Sequence, residues 1–109
     1  MNKNLENCID ACLSCLLACE RCIKDCIEDS HLECISLCRD CADICTMCAR
    51  FDARGSAYGR QLHALCAEIC NDCSDECAKH ASHHDSCKEC AEACKKCAEI
   101  CGEMASSEV

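Results

Sequence analysis

Cysteines make up 20 of the 109 residues, and their spacing is the most informative feature of the sequence. They fall into four blocks, and within each block the steps between neighbours alternate strictly between three and four residues. The blocks are Cys8, Cys12, Cys15, Cys19, Cys22, Cys26; Cys34, Cys38, Cys41, Cys45, Cys48; Cys66, Cys70, Cys73, Cys77; and Cys87, Cys90, Cys94, Cys97, Cys101. An average step of about 3.5 residues is the period of a core-facing helix surface in a bundle. Each block is therefore predicted to be one helix with a stripe of thiols along one side.

The chemistry of closely spaced thiols is the binding of soft metal ions, namely Cu(I), Zn(II) or the iron of iron–sulfur clusters. Residues three or four positions apart on a helix have Cβ atoms about 5–6 Å apart, so that two thiols of one helix can converge on one ion. Charge favours Cu(I), because one monovalent ion per lost thiol proton leaves the site neutral. Zn(II) held by four thiolates leaves about −2 in each buried site, which is costly. We therefore expect the chain to store many Cu(I) ions.

Three other uses of the thiols remain open at this point. A buffer for Zn(II) or Cd(II) belongs to the same class of protein with a different ion. A disulfide-bonded or redox protein would pair cysteines between helices, since pairs on one helix are poorly placed for unstrained disulfides. An iron–sulfur carrier is the third alternative, although the C-x₂-C-x₂-C-x₃-C-P pattern of bacterial ferredoxins is absent.

The thiol stripes require helices that surround a common axis. Four helices with short connections form an antiparallel up-down-up-down bundle, and the thiols must face inward because no other stripe is continuous on all four. The predicted fold is all-α, one domain over residues 1–109, with helices at about 4–28, 31–51, 57–80 and 83–104. Three serines are predicted to cap the second, third and fourth helices: Ser30 (with Glu33), Ser56 and Ser82 (with Asp85).

The overall composition argues against several classes of function. There are 11 Lys and Arg against 20 Asp and Glu, a formal net charge of −9, whereas nucleic-acid binding needs a basic face. No apolar run predicts a membrane span and no apolar leader is visible, so that the cytosol, where thiols stay reduced, is the expected compartment. Catalytic constellations and a Gly-rich phosphate loop are also absent, and we expect no enzyme.

Four of the five histidines are predicted to share one end of the bundle. The antiparallel order brings together the end of helix 1, the start of helix 2, the end of helix 3 and the start of helix 4. This end holds His31, His80, His83 and His84. His31, His80 and His84 each lie three residues from a cysteine and are predicted to extend the thiol stripes as Cu(I) ligands. We interpret this end as the mouth, where copper arrives from a copper chaperone or a small thiol donor.

The opposite end is predicted to be closed. It holds His63 and Met104, which also lie three residues from a cysteine, but packing or solvent exposure is the preferred interpretation for both. Phe51 and Tyr58, between helices 2 and 3, are predicted to plug this end. The tube of thiols would then have one open end.

Taken together, the cysteine motifs resemble those of the bacterial cytosolic copper storage proteins. The motifs are Cys8-x₃-Cys12-x₂-Cys15-x₃-Cys19, Cys34-x₃-Cys38-x₂-Cys41, Cys66-x₃-Cys70-x₂-Cys73 and Cys87-x₂-Cys90-x₃-Cys94. The resemblance extends over nearly the whole chain. It implies a four-helix bundle that holds many Cu(I) ions inside and assembles as a homotetramer. With three methionines and five histidines, the sequence is closer to the cytosolic branch than to exported relatives, which carry a leader and methionines near the mouth.

Overall fold

The structure, a computed structural model, describes residues 2–107 and consists of four α-helices. They are α1 (Lys3–Asp29), α2 (Leu32–Ala53), α3 (Gly59–Ala78) and α4 (Asp85–Ser107). Helices α1 and α3 each pack against both α2 and α4, and the described residues span 42 × 19 × 19 Å. This arrangement confirms the predicted all-α antiparallel bundle, although α2 ends later than predicted, and α3 and α4 begin later.

The ends of α1 are fixed by local hydrogen bonds. At the start, Oδ1 of Asn2 accepts a hydrogen bond from the backbone N–H of Leu5 over 2.8 Å, which is a typical N-cap. At the other end, Ser30 adopts a left-handed conformation with φ of 58°, which terminates the helix. The predicted N-cap role of Ser30 is wrong, because the tight reversal needs this residue as the C-cap of α1. His31 takes the N-cap position of α2 without a side-chain cap bond.

The other two predicted serine caps are also wrong. Ser56 accepts a hydrogen bond from the backbone N–H of Tyr58 over 3.1 Å, but α3 begins only after Tyr58. Ser82 lies within the connection 79–84, and the carbonyl of His84 accepts the first backbone bonds of α4. Hydrogen-bonded turns extend this connection past Ser82, so that its side chain is too early in the chain to cap α4.

The core of the bundle consists of cysteine and small residues. All twenty cysteines have 0 % of their surface exposed. Alanines such as Ala18 and Ala42 are also buried, and partly buried aliphatic side chains such as Leu16 and Leu62 pack around the thiols. Reduced cysteine therefore acts as the small hydrophobic residue of this core. Within residues 2–107, no helix has both the length and the apolar character that crossing a membrane requires.

Candidate metal centre

The twenty cysteine side chains, which we call the sulfur core, follow the bundle axis. At one end, Sγ of Cys8 lies 3.8 Å from Sγ of Cys101, and at the other end Sγ of Cys26 lies 3.7 Å from Sγ of Cys87. Sulfur–sulfur contacts along the whole core run from 3.4 to 4.0 Å. These separations are well beyond the ~2.05 Å of a disulfide bond, and all twenty side chains are free thiols.

Sulfur atoms from all four helices converge in groups of four. Cys19, Cys38, Cys73 and Cys90 supply one thiol from each helix, and their sulfur atoms lie within 4.8 Å of one another. Two further groups also take one thiol from each helix: Cys12, Cys45, Cys66, Cys97 and Cys15, Cys45, Cys70, Cys97. Two others take two thiols from one helix and one from each of two other helices: Cys15, Cys19, Cys41, Cys94 and Cys22, Cys34, Cys38, Cys77. Neighbouring groups share members; Cys19, for example, belongs to two of them. The geometry therefore suits linked metal–thiolate clusters better than isolated four-thiolate sites.

Burial favours the protonated thiol at the end of the sulfur core that holds Cys26 and Cys87. Burial raises the pKa of the Cys26 thiol, and it is the largest cause of the raised pKa of Cys87. The neutral thiol is therefore favoured at these two positions. A metal ion must displace their protons, and Cu(I) does so without adding net charge to the interior.

The end of the bundle near Cys26 and Cys87, called the histidine end below, brings His31, His80 and His83 together. The rings of His31 and His80 stack with centroids 3.9 Å apart, and the His83 ring lies 6.3 Å from that of His31. His80 donates from Nε2 to the buried Glu76 over 3.1 Å, the way carboxylates orient metal-binding imidazoles. Nδ1 of His31 is buried without a hydrogen-bond partner. Two of the predicted histidine ligands, His31 and His80, thus lie side by side. Glu76, which orients His80, was not among the predicted site residues.

His84 lies at the same end but has a different partner. Its Nε2 donates a hydrogen bond to Asp29 at the end of α1, and the hydroxyl of Ser86 donates to Asp25. The bond to Asp29 raises the pKa of His84, and the bond to His84 lowers the pKa of Asp29. The third predicted ligand is therefore engaged in joining α4 to α1.

The opposite end, called the far end below, contains a buried polar pair. His63 donates from Nε2 to Oδ1 of Asp52 over 2.7 Å, and the residues are 1 % and 3 % exposed. Burial opposes the charge of His63, but hydrogen bonds to Asp52 and Cys8 raise its pKa to about 11. Burial also raises the pKa of Asp52. The burial of His63 corresponds to packing, which is one of the two roles preferred for it over copper binding, whereas Asp52 was not among the predicted site residues.

The predicted aromatic plug at the far end is wrong for Tyr58. Its side chain is 67 % exposed, because it belongs to the connection that runs over the surface before α3. Phe51 is part of α2 and stacks against Arg54, whose guanidinium carbon lies 4.7 Å from the ring centroid. Met104 is partly buried on α4.

Fold and site together define a class of protein: a helical bundle whose interior is a reservoir of thiols for many soft metal ions. The family model described as "Csp: Copper storage protein" matches residues 1–106. The chain therefore belongs to the copper storage protein family, in agreement with the resemblance of its cysteine motifs.

Similar proteins have the same fold over almost the whole chain. The Cu(I)-bound copper storage protein BsCsp3 is 44% identical with a TM-score of 0.88, and the match covers 94% of this chain and 99% of that chain. A cytosolic copper storage protein from Streptomyces lividans, in a structure with five coppers, is 36% identical with a TM-score of 0.92, covering 98% and 96%. The uncharacterized cysteine-rich protein YhjQ of Bacillus subtilis (strain 168) is 44% identical over 97 residues, 85% of this chain and 88% of YhjQ.

Proposed function

We propose that this chain stores Cu(I) in the cytosol by binding many ions to the thiolates of its sulfur core. The observation that carries the proposal is the set of wholly buried thiols in overlapping groups of four. Membership of the copper storage family and the copper-loaded similar structures support it. Such an interior suits capacity rather than turnover, and we propose no catalytic activity.

Charge and geometry favour Cu(I) over Zn(II) as the stored ion. Cu(I) bridged between two or three thiolates keeps the interior close to neutral, whereas tetrahedral Zn(II)–thiolate sites accumulate buried negative charge. The sulfur atoms of neighbouring groups are also shared. Sharing supplies bridging thiolates for Cu(I) but leaves too few sulfurs to surround each Zn(II) separately.

Copper enters and leaves, we propose, at the histidine end. His31 and His80 are the ligands best placed to pass an ion to the nearby thiols, because their rings stack and Glu76 orients His80. His84 has a secondary role, since Asp29 occupies its Nε2. The donor is a copper chaperone or a small thiol that exchanges its Cu(I) with these imidazoles.

We further propose that the chain assembles as a homotetramer, as the family resemblance implies. Several large apolar side chains on the outer faces of the helices support an assembly: Leu13, Leu17 and Leu65 are each at least 44% exposed. Light scattering of the reduced protein after size-exclusion chromatography tests this proposal. A mass of one chain, 11.9 kDa, would contradict it.

Anaerobic titration of the reduced protein tests copper storage directly. Cu(I) supplied with a competing chelator should load until about one ion is bound per cysteine, with little change in the helical circular dichroism, because the core is already assembled. Zn(II) should saturate at about a quarter of that number. Native mass spectrometry of each sample counts the ions. Saturation of Cu(I) at the zinc number, or a thiol count showing mostly disulfides in freshly isolated protein, would contradict the proposal.

A further inference from the structure

The buried pair Asp52–His63 stands between the sulfur core and the surface at the far end. The His63 side chain is 1% exposed and faces inward, where it contacts the terminal thiol Cys8. Its Nε2 points to Asp52, near the end of α2. The pair therefore spans the gap between α2 and α3 at the level where the sulfur core ends.

A cavity of about 260 Å³ borders the outer side of this pair. Asp52 and His63 both line it, together with side chains that include Leu5, Phe51 and Met104. The imidazole thus has the cavity on one side and the Cys8 thiol on the other. Removal of the imidazole would join the cavity to the sulfur core.

The aromatic residues of this region are not placed to close the core. Tyr58 is 67 % exposed, and Phe51 lines the cavity outside the pair. By contrast, the pair packs directly on the start of α3. A Cβ atom at Gly59 would lie at van der Waals distance from both members of the pair, 3.6 Å from Cε1 of His63 and 3.7 Å from Oδ1 of Asp52, so that the pair lies against the first turn of this helix.

We propose that Asp52 and His63, rather than the aromatic residues, close the far end of the sulfur core, so that thiol reagents and Cu(I) reach it only through the histidine end. The carboxylate holds the imidazole in one orientation by a charge-assisted hydrogen bond, which makes the closure rigid. The consequence for copper rests on the proposed storage function, but the closure itself is a property of the reduced, metal-free chain.

Site-resolved thiol labelling of the metal-free protein tests the closure without copper. The reduced chain is pulsed with iodoacetamide, and mass spectrometry of peptides gives the labelling rate of each cysteine. In the wild type, Cys26 and Cys87 should be labelled before Cys8. His63→Ala should raise the rate at Cys8 by about tenfold or more, as loss of local protection does. His63→Gln, which keeps a side chain able to donate to Asp52, should leave that rate close to wild type.

Two controls separate local opening from general loosening of the bundle. Cys41, in the middle of the core, should keep its wild-type rate in His63→Ala. The double variant Phe51→Ala/Tyr58→Ala should leave the rate at Cys8 unchanged, and it tests the proposal independently if His63→Ala disturbs the fold. Equal rates at Cys8 and Cys26 in the wild type, an unchanged Cys8 rate in a folded His63→Ala, or a raised Cys8 rate in the aromatic variant would overturn the proposal.

Discussion

His31 and His80 stack with ring centroids 3.9 Å apart, which places the residue that precedes α2 against the connection that follows α3. Nδ1 of His31 is buried here without a hydrogen-bond partner. A buried polar atom without a partner costs about 1–3 kcal/mol. A metal ion that passes through this end could be coordinated by this nitrogen.

The double variant His31→Ala/His80→Ala should therefore slow both the loading and the removal of Cu(I) while leaving the final capacity nearly unchanged, because the storing thiols remain. Stopped-flow mixing with a chromogenic Cu(I) chelator measures both rates. His83→Ala is the matched control, since this imidazole lies at the same end but 6.3 Å from His31. Identical rates in the wild type and the double variant would place copper entry elsewhere.

The hydrogen bond between His84 and Asp29 should make stability depend on pH. His84 has a raised pKa, so its contribution is complete below the unfolded value of about 6.5 and is lost as pH rises through the folded value. Asp29 has a lowered pKa, so its contribution to stability is lost as pH falls through the pKa of Asp29 in the folded state. The wild type should exceed His84→Ala in urea resistance more at pH 6 than at pH 9. If the difference in urea resistance between the wild type and His84→Ala were the same at both pH values, the hydrogen bond would not be an interaction between charged groups.

The cysteine spacing was sufficient to predict the fold, because a strict alternation of three and four residues is compatible with only one helix face. Helix starts were not predictable in the same way. Ser30 has the residue type of an N-cap, but the short connection between α1 and α2 forces it into a left-handed conformation. Capping preferences are local, whereas the length of a connection is decided by the packing of the two helices that it joins.

Extending the spacing of the cysteines beyond the last thiol of a helix could have predicted one polar residue of the site, but not another. Asp52 lies four residues after Cys48 and continues the alternation of the α2 stripe, so that its burial had a signal in the sequence. His84 shows the limit of such extrapolation. It precedes the first residue of α4, where helical periodicity no longer determines direction, and its partner Asp29 comes from another helix.

Removal of one central thiol should lower copper capacity without unfolding the bundle. Sγ of Cys41 lies 3.5 Å from the sulfur atoms of both Cys15 and Cys70. Cys41→Ala should bind at least one Cu(I) fewer, and the small cavity should lower the free energy of unfolding of the metal-free protein by about 1 kcal/mol. Anaerobic titration and urea unfolding measure the two effects.

Ala42→Gly is the matched control for this experiment. Ala42 is the next residue on α2 and is also buried, but it has no thiol. Glycine at this position should cost a similar ~1 kcal/mol through helix propensity, with full copper capacity. If the glycine variant lost as much copper as Cys41→Ala, capacity would follow general stability rather than the thiols.

Replacement of Asp52 should be among the most damaging single changes outside the sulfur core. Asp52→Ala leaves the His63 imidazole buried without its carboxylate, and breaking a buried pair in this way costs about 3–5 kcal/mol. The pKa of His63, raised to about 11 in the wild type, should fall, because burial still opposes its charge and the hydrogen bond to the carboxylate no longer offsets that burial. NMR titration of the imidazole protons measures this change. A His63 that stays protonated at pH 8 in the variant would show that Asp52 is not what holds its charge.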